Sequence, residues 1–94
     1  MSRKLPKSHC FNGKRYRILW RKARLAQGSC DSPKTPASNR NIFVNPNGTE
    51  KDRINVLIHE TIHACVWNLD EDTVKQTADD ITNFLYKCGL RFEK

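Results

Sequence analysis

The stretch INVLIHETIHACVW, residues 54–67, places two histidines and a glutamate inside the most apolar part of a chain that is otherwise polar and basic. Burying an ionisable group is costly unless another group pairs with it or binds it. Three such groups in one hydrophobic segment therefore need a chemical reason. A metal ion is the partner that we expect.

The length of the chain limits its organisation. Its 94 residues hold one domain, whose core is just large enough to fold unaided. We expect residues 1–12 to form a flexible basic N-terminus and residues 13–94 to form the domain. No apolar run approaches the roughly 20 residues of a membrane span. With no apolar leader and no C-x-x-C spacing, we expect a soluble, cytoplasmic protein with reduced cysteines.

Two segments have the pattern of β-strands. The stretch KRYRILWRKARL, residues 14–25, alternates between an apolar and a basic face. The two faces carry Tyr16, Ile18 and Trp20 on one side and Arg15, Arg17 and Arg21 on the other. A long loop rich in proline and small polar residues follows over residues 26–40. NIFVN, residues 41–45, predicts a second short strand, closed by the turn signal Pro46-Asn47-Gly48.

The rest of the chain predicts two helices. Thr49 has the position of an N-cap, so the first helix is expected from about Glu50 to Trp67. On a helical wheel His59 and His63 lie about 40° apart, and Glu60 lies about 100° from His59. Much of the remaining circumference is apolar, which predicts a helix buried on most sides.

The second helix is predicted over residues 73–88 and ends at Gly89, with Leu90 completing a Schellman motif. Its apolar positions are Val74, Ala78, Ile81, Leu85 and Cys88. We interpret Trp67 as a core or lid aromatic and Cys65 as a core residue. The predicted fold class is α+β, with a small sheet of two or three strands packed against the two helices.

Residues His59-Glu60-Thr61-Ile62-His63 form an H-E-x-x-H pattern on the first predicted helix. Side chains four residues apart lie one above the other, so both imidazoles can reach one Zn²⁺ ion. Glu60 then faces a water on that ion and can act as the catalytic base toward a carbonyl. The alternative is a pair of core histidines bonded to backbone or carboxylate groups.

From NIFVN through HETIHACVW to the second helix, about residues 40–90, the chain resembles the zincin metallopeptidases. In its brevity it is similar to the small SprT-like and ImmA/IrrE-like proteins that phages often carry. The resemblance implies His59 and His63 as zinc ligands, Glu60 as general base and a peptide or protein substrate. It also implies an edge strand that binds the peptide in extended form, for which NIFVN is the candidate. The Gly-x-x-His continuation of metzincins and the Asn-Glu-x-x-Ser-Asp sequence of thermolysin-like enzymes are both missing from the sequence.

A catalytic zinc site needs a third protein ligand. The acids that follow the motif are Asp70, Glu71, Asp72, Asp79 and Asp80. Glu71 lies nearest the apolar stripe of the second helix, whereas Asp79 would lie level with the histidines if the helices were antiparallel and joined near Leu69. An early end of the first helix or a steep crossing would bring Glu71 level as well. Because the ImmA/IrrE-like proteins also have a glutamate there, we choose Glu71 over Asp79.

The charge of the chain is uneven. Residues 1–27 contain nine Lys and Arg and no acid, whereas residues 54–94 sum to −3. Arg15, Arg17 and Arg21 are expected to project together and to make weak phosphate contacts with nucleic acid, with little sequence preference. The alternative is a solvated strand face. A second hypothesis for the whole protein is therefore a nucleic-acid-associated or partner-binding module with an inactive zincin site.

Overall fold

The computed structural model describes residues 6–20, 28–45 and 48–92. Its elements are strands β1 (Ser8–Phe11), β2 (Lys14–Trp20), β3 (Gly28–Cys30) and β4 (Asn41–Val44), a 3-10 turn at Ala37–Asn39, and helices α1 (Glu50–Cys65) and α2 (Glu71–Lys87). The α+β class is as the sequence predicts. Arg21 of the predicted first strand and Pro46-Asn47 of the predicted turn lie outside the described residues.

The sheet has four strands in the order β1-β2-β4-β3, and not the two or three that the sequence predicts. β1 pairs antiparallel with β2, β2 pairs parallel with β4, and β4 pairs antiparallel with β3. β1 falls inside the segment expected to be a flexible N-terminus. Asn12 and Gly13, with φ of 50° and 79°, join it to β2 in a two-residue hairpin.

NIFVN is an interior strand, and the prediction that it is an edge strand is wrong. β4 lies between β2 and β3, so both of its edges are occupied. The edge strand on this side is β3, which falls in the predicted loop. Its sequence GSC has no apolar alternation and is only 3 residues long, which is why the pattern does not reveal it.

α1 lies between the sheet and α2. On the sheet side, the α1 residues Val56 and Ala64 pack in one buried cluster with Tyr16, Ile42 and Val44. On the other side α2 packs against α1 and does not contact the sheet. α1 is therefore buried on most of its circumference, as predicted, and this placement explains why the most apolar segment of the chain forms it.

Local signals set the start and the end of α1. Thr49 and Asp52 form a capping box, in which the Thr49 side chain accepts from the Asp52 N–H and the Asp52 side chain accepts from the Thr49 N–H. The helix ends at Cys65, two residues before the predicted end, and Val66 has left helical geometry. Cys65 is exposed, which corrects its interpretation as a core residue.

α2 begins at Glu71 with Asp70 as its N-cap and ends in the predicted Schellman motif. Gly89, with φ of 89°, donates its N–H to Tyr86 O at 3.0 Å, and the Leu90 N–H donates to Leu85 O at 3.1 Å. A left-handed φ is accessible to glycine without strain. Gly89 therefore ends α2 as the sequence predicts.

The buried face of α2 differs in part from the prediction. Val74 and Ala78 are fully buried as expected, but Ile81 and Cys88 are exposed, and Thr82 takes the next buried position. The Thr82 hydroxyl accepts a hydrogen bond from Asn55 Nδ2 of α1 at 3.2 Å. Val74, Ala78 and Thr82 thus form a buried row at every fourth residue of α2. Among the described residues, the helices are all too short or too polar to cross a membrane.

Candidate metal centre

Helix α1 presents His59 and His63 on the same side, toward the first turn of α2. Their ring centroids are 4.9 Å apart, as expected for residues one turn apart. About a fifth of each side chain is exposed, 20% for His59 and 17% for His63. Both imidazoles are therefore mostly buried.

Glu71 is the acid that the structure brings to this pair. Its Oε1 lies 2.7 Å from His59 Nε2, and its Oε2 lies 3.0 Å from His63 Nε2. α1 ends early, at Cys65, and the chain turns back soon after it. The start of α2 therefore stays close to the histidines along the α1 axis, so the Glu71 carboxylate can reach both of them. Asp79, the alternative ligand, lies elsewhere and accepts from Asn55 Nδ2 at 2.9 Å.

These three side chains have a donor set that fits zinc. One ligand atom from each of His59, His63 and Glu71 lies within 4.8 Å of the others. Tetrahedral zinc with bonds of about 2.0–2.1 Å needs its donors about 3.3 Å apart, so small side-chain rotations suffice. In the described part of the chain this is the one His, Cys, Asp and Glu group with such geometry. Three protein donors also leave a fourth position for water.

Glu60 points from α1 into the same site but is not one of the converging ligand atoms. Its side chain is buried, with 7% of its surface exposed. Burial raises the pKa of its carboxyl to about 7; the His59 imidazole opposes this rise and the Glu71 carboxylate adds to it. A carboxyl with a pKa near neutrality both accepts and returns a proton readily, as a general base requires.

The site opens into a cleft of about 410 Å³, within the range of small-ligand pockets. Its walls combine the motif residues with residues of β3, of the segment after α1 and of the start of α2: Gly28, Cys30, His59, Glu60, His63, Trp67 and Glu71. Trp67 is 41% exposed, and its ring centroid lies 6.2 Å from that of His63. Trp67 is therefore not a core aromatic but a wall of the cleft.

Gly28 is a site residue that the sequence analysis missed. A Cβ at this position would lie 2.7 Å from Val56 Cγ1, 2.9 Å from Phe43 O and 3.0 Å from Glu60 Cγ. Only glycine lets β3 approach α1 so closely beside Glu60. The isolated glycine before a short polar run was the available signal, but a loop glycine gives the same pattern.

Cys30 is the second missed residue of the cleft wall. Burial, together with the nearby Glu60 carboxylate, raises the pKa of its thiol to about 12. The thiol therefore stays protonated at neutral pH. Cys30 lines the cleft but is not one of the three converging ligand residues.

Comparison with protein-family models, curated proteins and solved structures gave no match to this chain. The assignment of a function therefore depends on the geometry of the site and on the motif that forms it.

Proposed function

We propose that this protein is a zinc-dependent peptidase of the zincin type, which hydrolyses a peptide bond with Glu60 as general base. The observation that carries the proposal is the convergence of His59 Nε2, His63 Nε2 and the Glu71 carboxylate beside the buried Glu60. A core histidine pair, the alternative hypothesis, would not need a cleft that opens to solvent. The resemblance of HETIHACVW to the SprT-like and ImmA/IrrE-like proteins supports the same function.

Each residue of the site has a defined role in this proposal. His59, His63 and Glu71 hold the zinc ion, which when bound supplies Lewis-acid chemistry to a water and to the substrate carbonyl. Glu60 accepts the proton of the attacking water and delivers it to the leaving amine. Glu60 is 7% exposed, and this burial raises the pKa of its carboxyl to about 7 before an ion binds.

The substrate is proposed to bind along β3, since β4 is not an edge strand. The Asp31 N–H donates to Asn41 O at 3.0 Å, which makes Asp31 and Asn41 a hydrogen-bonded pair of the β3–β4 ladder. By the two-residue alternation of such a ladder, the N–H and C=O groups of Gly28 and Cys30 point away from β4. Both residues also line the cleft. An extended peptide that pairs with these groups would pass beside Glu60.

The proposal is tested with zinc-loaded protein and a proteome-derived peptide library. Wild type is expected to create new peptide termini, identified by mass spectrometry, whereas Glu60→Gln is expected to bind zinc equally and to cleave nothing. The amide keeps the size of the side chain but cannot accept the water's proton. Equal cleavage by both proteins, or no cleavage by a fully zinc-loaded wild type, would contradict the proposal.

A further inference from the structure

Helix α2 has an apolar stripe on its surface in addition to its buried row. Ile81 is 38% exposed, Phe84 is 66% exposed, and Cys88, one turn further along, is also exposed. At about 100° per residue, these three side chains lie within about 60° of one another around the helix. The three residues are here called the α2 stripe. An exposed aromatic ring between two other apolar side chains is typical of a surface that contacts another molecule.

The α2 stripe lies on a different side of the helix from the α1 contact. The buried row of Val74, Ala78 and Thr82 is on the α1 side, where Asn55 of α1 donates to the Thr82 hydroxyl. The centre of this row is about 90° around the helix from the centre of the stripe. Among the elements of the described chain, α1 is the one that contacts α2. The exposed part of the stripe is therefore open to a partner.

Charge is divided along the length of α2. Residues 70–80 contain five acids and one lysine, whereas residues 81–92 contain Lys87 and Arg91 and no acid. Two α2 helices side by side in parallel would place like charges together. An antiparallel pair places the acidic half of each helix beside the basic half of the other. The α2 surface is therefore complementary to a second α2 that runs in the opposite direction.

Two charged residues on one edge of the α2 stripe set the register of such a pair. Asp80 and Lys87 are both exposed, lie about 20° apart around the helix and are on the same side of Phe84. A two-fold axis between antiparallel helices brings the same edge of each helix together. Asp80 of one copy then meets Lys87 of the other, twice in the dimer. Within the described chain neither side chain has an ion pair of its own.

We propose that α2 is the interface of a symmetric dimer, in which two copies of this chain pair their α2 stripes in antiparallel direction. Phe84 lies near the midpoint between Asp80 and Lys87 and is therefore closest to the two-fold axis. An aromatic residue at the centre and charged residues at the rim are typical of protein interfaces. One helix from each copy makes a small contact, so the dimer is weak and depends on concentration.

The proposed dimer leaves the metal centre accessible. Glu71 lies about 140° from Phe84 around α2, on the side of the buried row. Dimerisation through the stripe therefore does not require zinc and does not cover the cleft. The proposal is independent of the peptidase function.

Sedimentation velocity over a wide range of protein concentrations measures the association, with a reductant present so that Cys88 cannot form disulfides. Wild type is expected to change from monomer to dimer as its concentration rises. Phe84→Ser removes two rings from the interface and is expected to weaken association by more than about tenfold. The control Val66→Ser removes an apolar side chain that is 50% exposed and lies outside α2. Its association is expected to stay within about twofold of wild type.

Charge reversal tests the antiparallel register. Asp80→Lys replaces two attractive pairs by two repulsive ones and is expected to weaken association about fivefold or more. The double variant Asp80→Lys, Lys87→Asp restores both pairs with exchanged signs and is expected to recover most of the wild-type association. Asp72→Lys is the control, because it makes the same change in net charge at an exposed position about 120° from Phe84.

Circular dichroism first checks that each variant is folded. Recovery in the double variant, together with little effect of the two controls, supports the proposal. A wild type that stays monomeric at every concentration, a dimer that Phe84→Ser leaves intact, equal weakening by Asp72→Lys and Asp80→Lys, or no recovery in the double variant would each overturn it.

Discussion

His59 Nε2 and Glu71 Oε1 lie 2.7 Å apart although the two residues belong to different helices. Glu71 is the first residue of α2, so its position is fixed by where that helix begins. The proposed metal centre therefore depends on two features of the chain: the spacing of the histidines on α1 and the turn that starts α2 beside them.

Glu71→Gln is expected to weaken zinc binding by more than about 100-fold, because changes to residues that merely support zinc ligands already cost 10–100-fold. The matched change Asp79→Asn is expected to leave the affinity within about twofold of wild type, since Asp79 contacts Asn55 and not the histidines. Zinc titration against a chromophoric chelator measures both. Similar losses in the two variants would remove Glu71 from the ligand set.

The N-cap of α2 is expected to matter for zinc, whereas the N-cap of α1 is not. Asp70 accepts hydrogen bonds from Thr73 N at 2.9 Å and Thr73 Oγ1 at 2.7 Å, and these fix the turn that carries Glu71. Asp70→Ala is expected to lower both thermal stability and zinc affinity. Thr49→Ala removes the α1 cap, costs about 1 kcal/mol and leaves zinc affinity unchanged. If both variants bound zinc like wild type, the start of α2 would not position Glu71.

The features that follow from local patterns were predictable from the sequence. The H-E-x-x-H spacing predicts the shared side of His59 and His63, and Gly89 predicts the end of α2. The helical wheel of α2 also favours Glu71 as the third ligand. Its contact with the histidines depends on α1 ending at Cys65, which the sequence does not predict.

The sheet was less predictable, because its order depends on contacts between distant segments. β1 and β3 are short, and apolar and polar residues do not alternate in them. Their sequences therefore lack the two-residue pattern that predicts a strand. The Asn12-Gly13 pair is the local signal in the sequence for the hairpin between β1 and β2. Without a signal for β3, the sequence predicts β4 as an edge strand, whereas in the structure β3 pairs with the free edge of β4.

Gly28→Ala is expected to reduce peptidase activity and to destabilise the fold by about 1–3 kcal/mol, the usual cost of overpacking. The added methyl would clash with Val56 and the Phe43 carbonyl and would displace Glu60. Ser29→Ala is the control, since Ser29 is exposed on the next position of the same strand. Activity is compared at equal zinc occupancy, with unfolding followed in urea. Wild-type behaviour of Gly28→Ala would contradict the close approach of β3 to α1.

Metal-free protein is expected to lose stability as the pH rises, through Glu60. Its pKa of about 7 in the fold exceeds the ordinary 4.5, so the folded state keeps a proton that the unfolded chain releases. The resulting stabilisation is complete below pH 4.5 and is lost as the pH rises through about 7. Glu60→Gln lacks this dependence.

The comparison uses urea unfolding of both metal-free proteins at about pH 5 and about pH 8. Relative to Glu60→Gln, wild type is expected to lose on the order of 2 kcal/mol between the two values. Glu60→Gln keeps every other ionisable residue of the chain, so the difference between the two proteins reports the change at position 60. A constant difference across this range would mean that Glu60 is solvated in the fold.

The central claim is that His59, His63 and Glu71 hold one zinc ion beside Glu60. Anomalous diffraction at the zinc edge from crystals of the zinc-loaded protein measures this directly. The expected result is one peak per chain, about 2.0–2.2 Å from His59 Nε2, His63 Nε2 and a Glu71 carboxylate oxygen, with Glu60 outside bonding distance. A peak held by other residues, such as the exposed His9 and Cys10, a Glu60 oxygen in the coordination shell, or no peak from zinc-soaked crystals would contradict the claim.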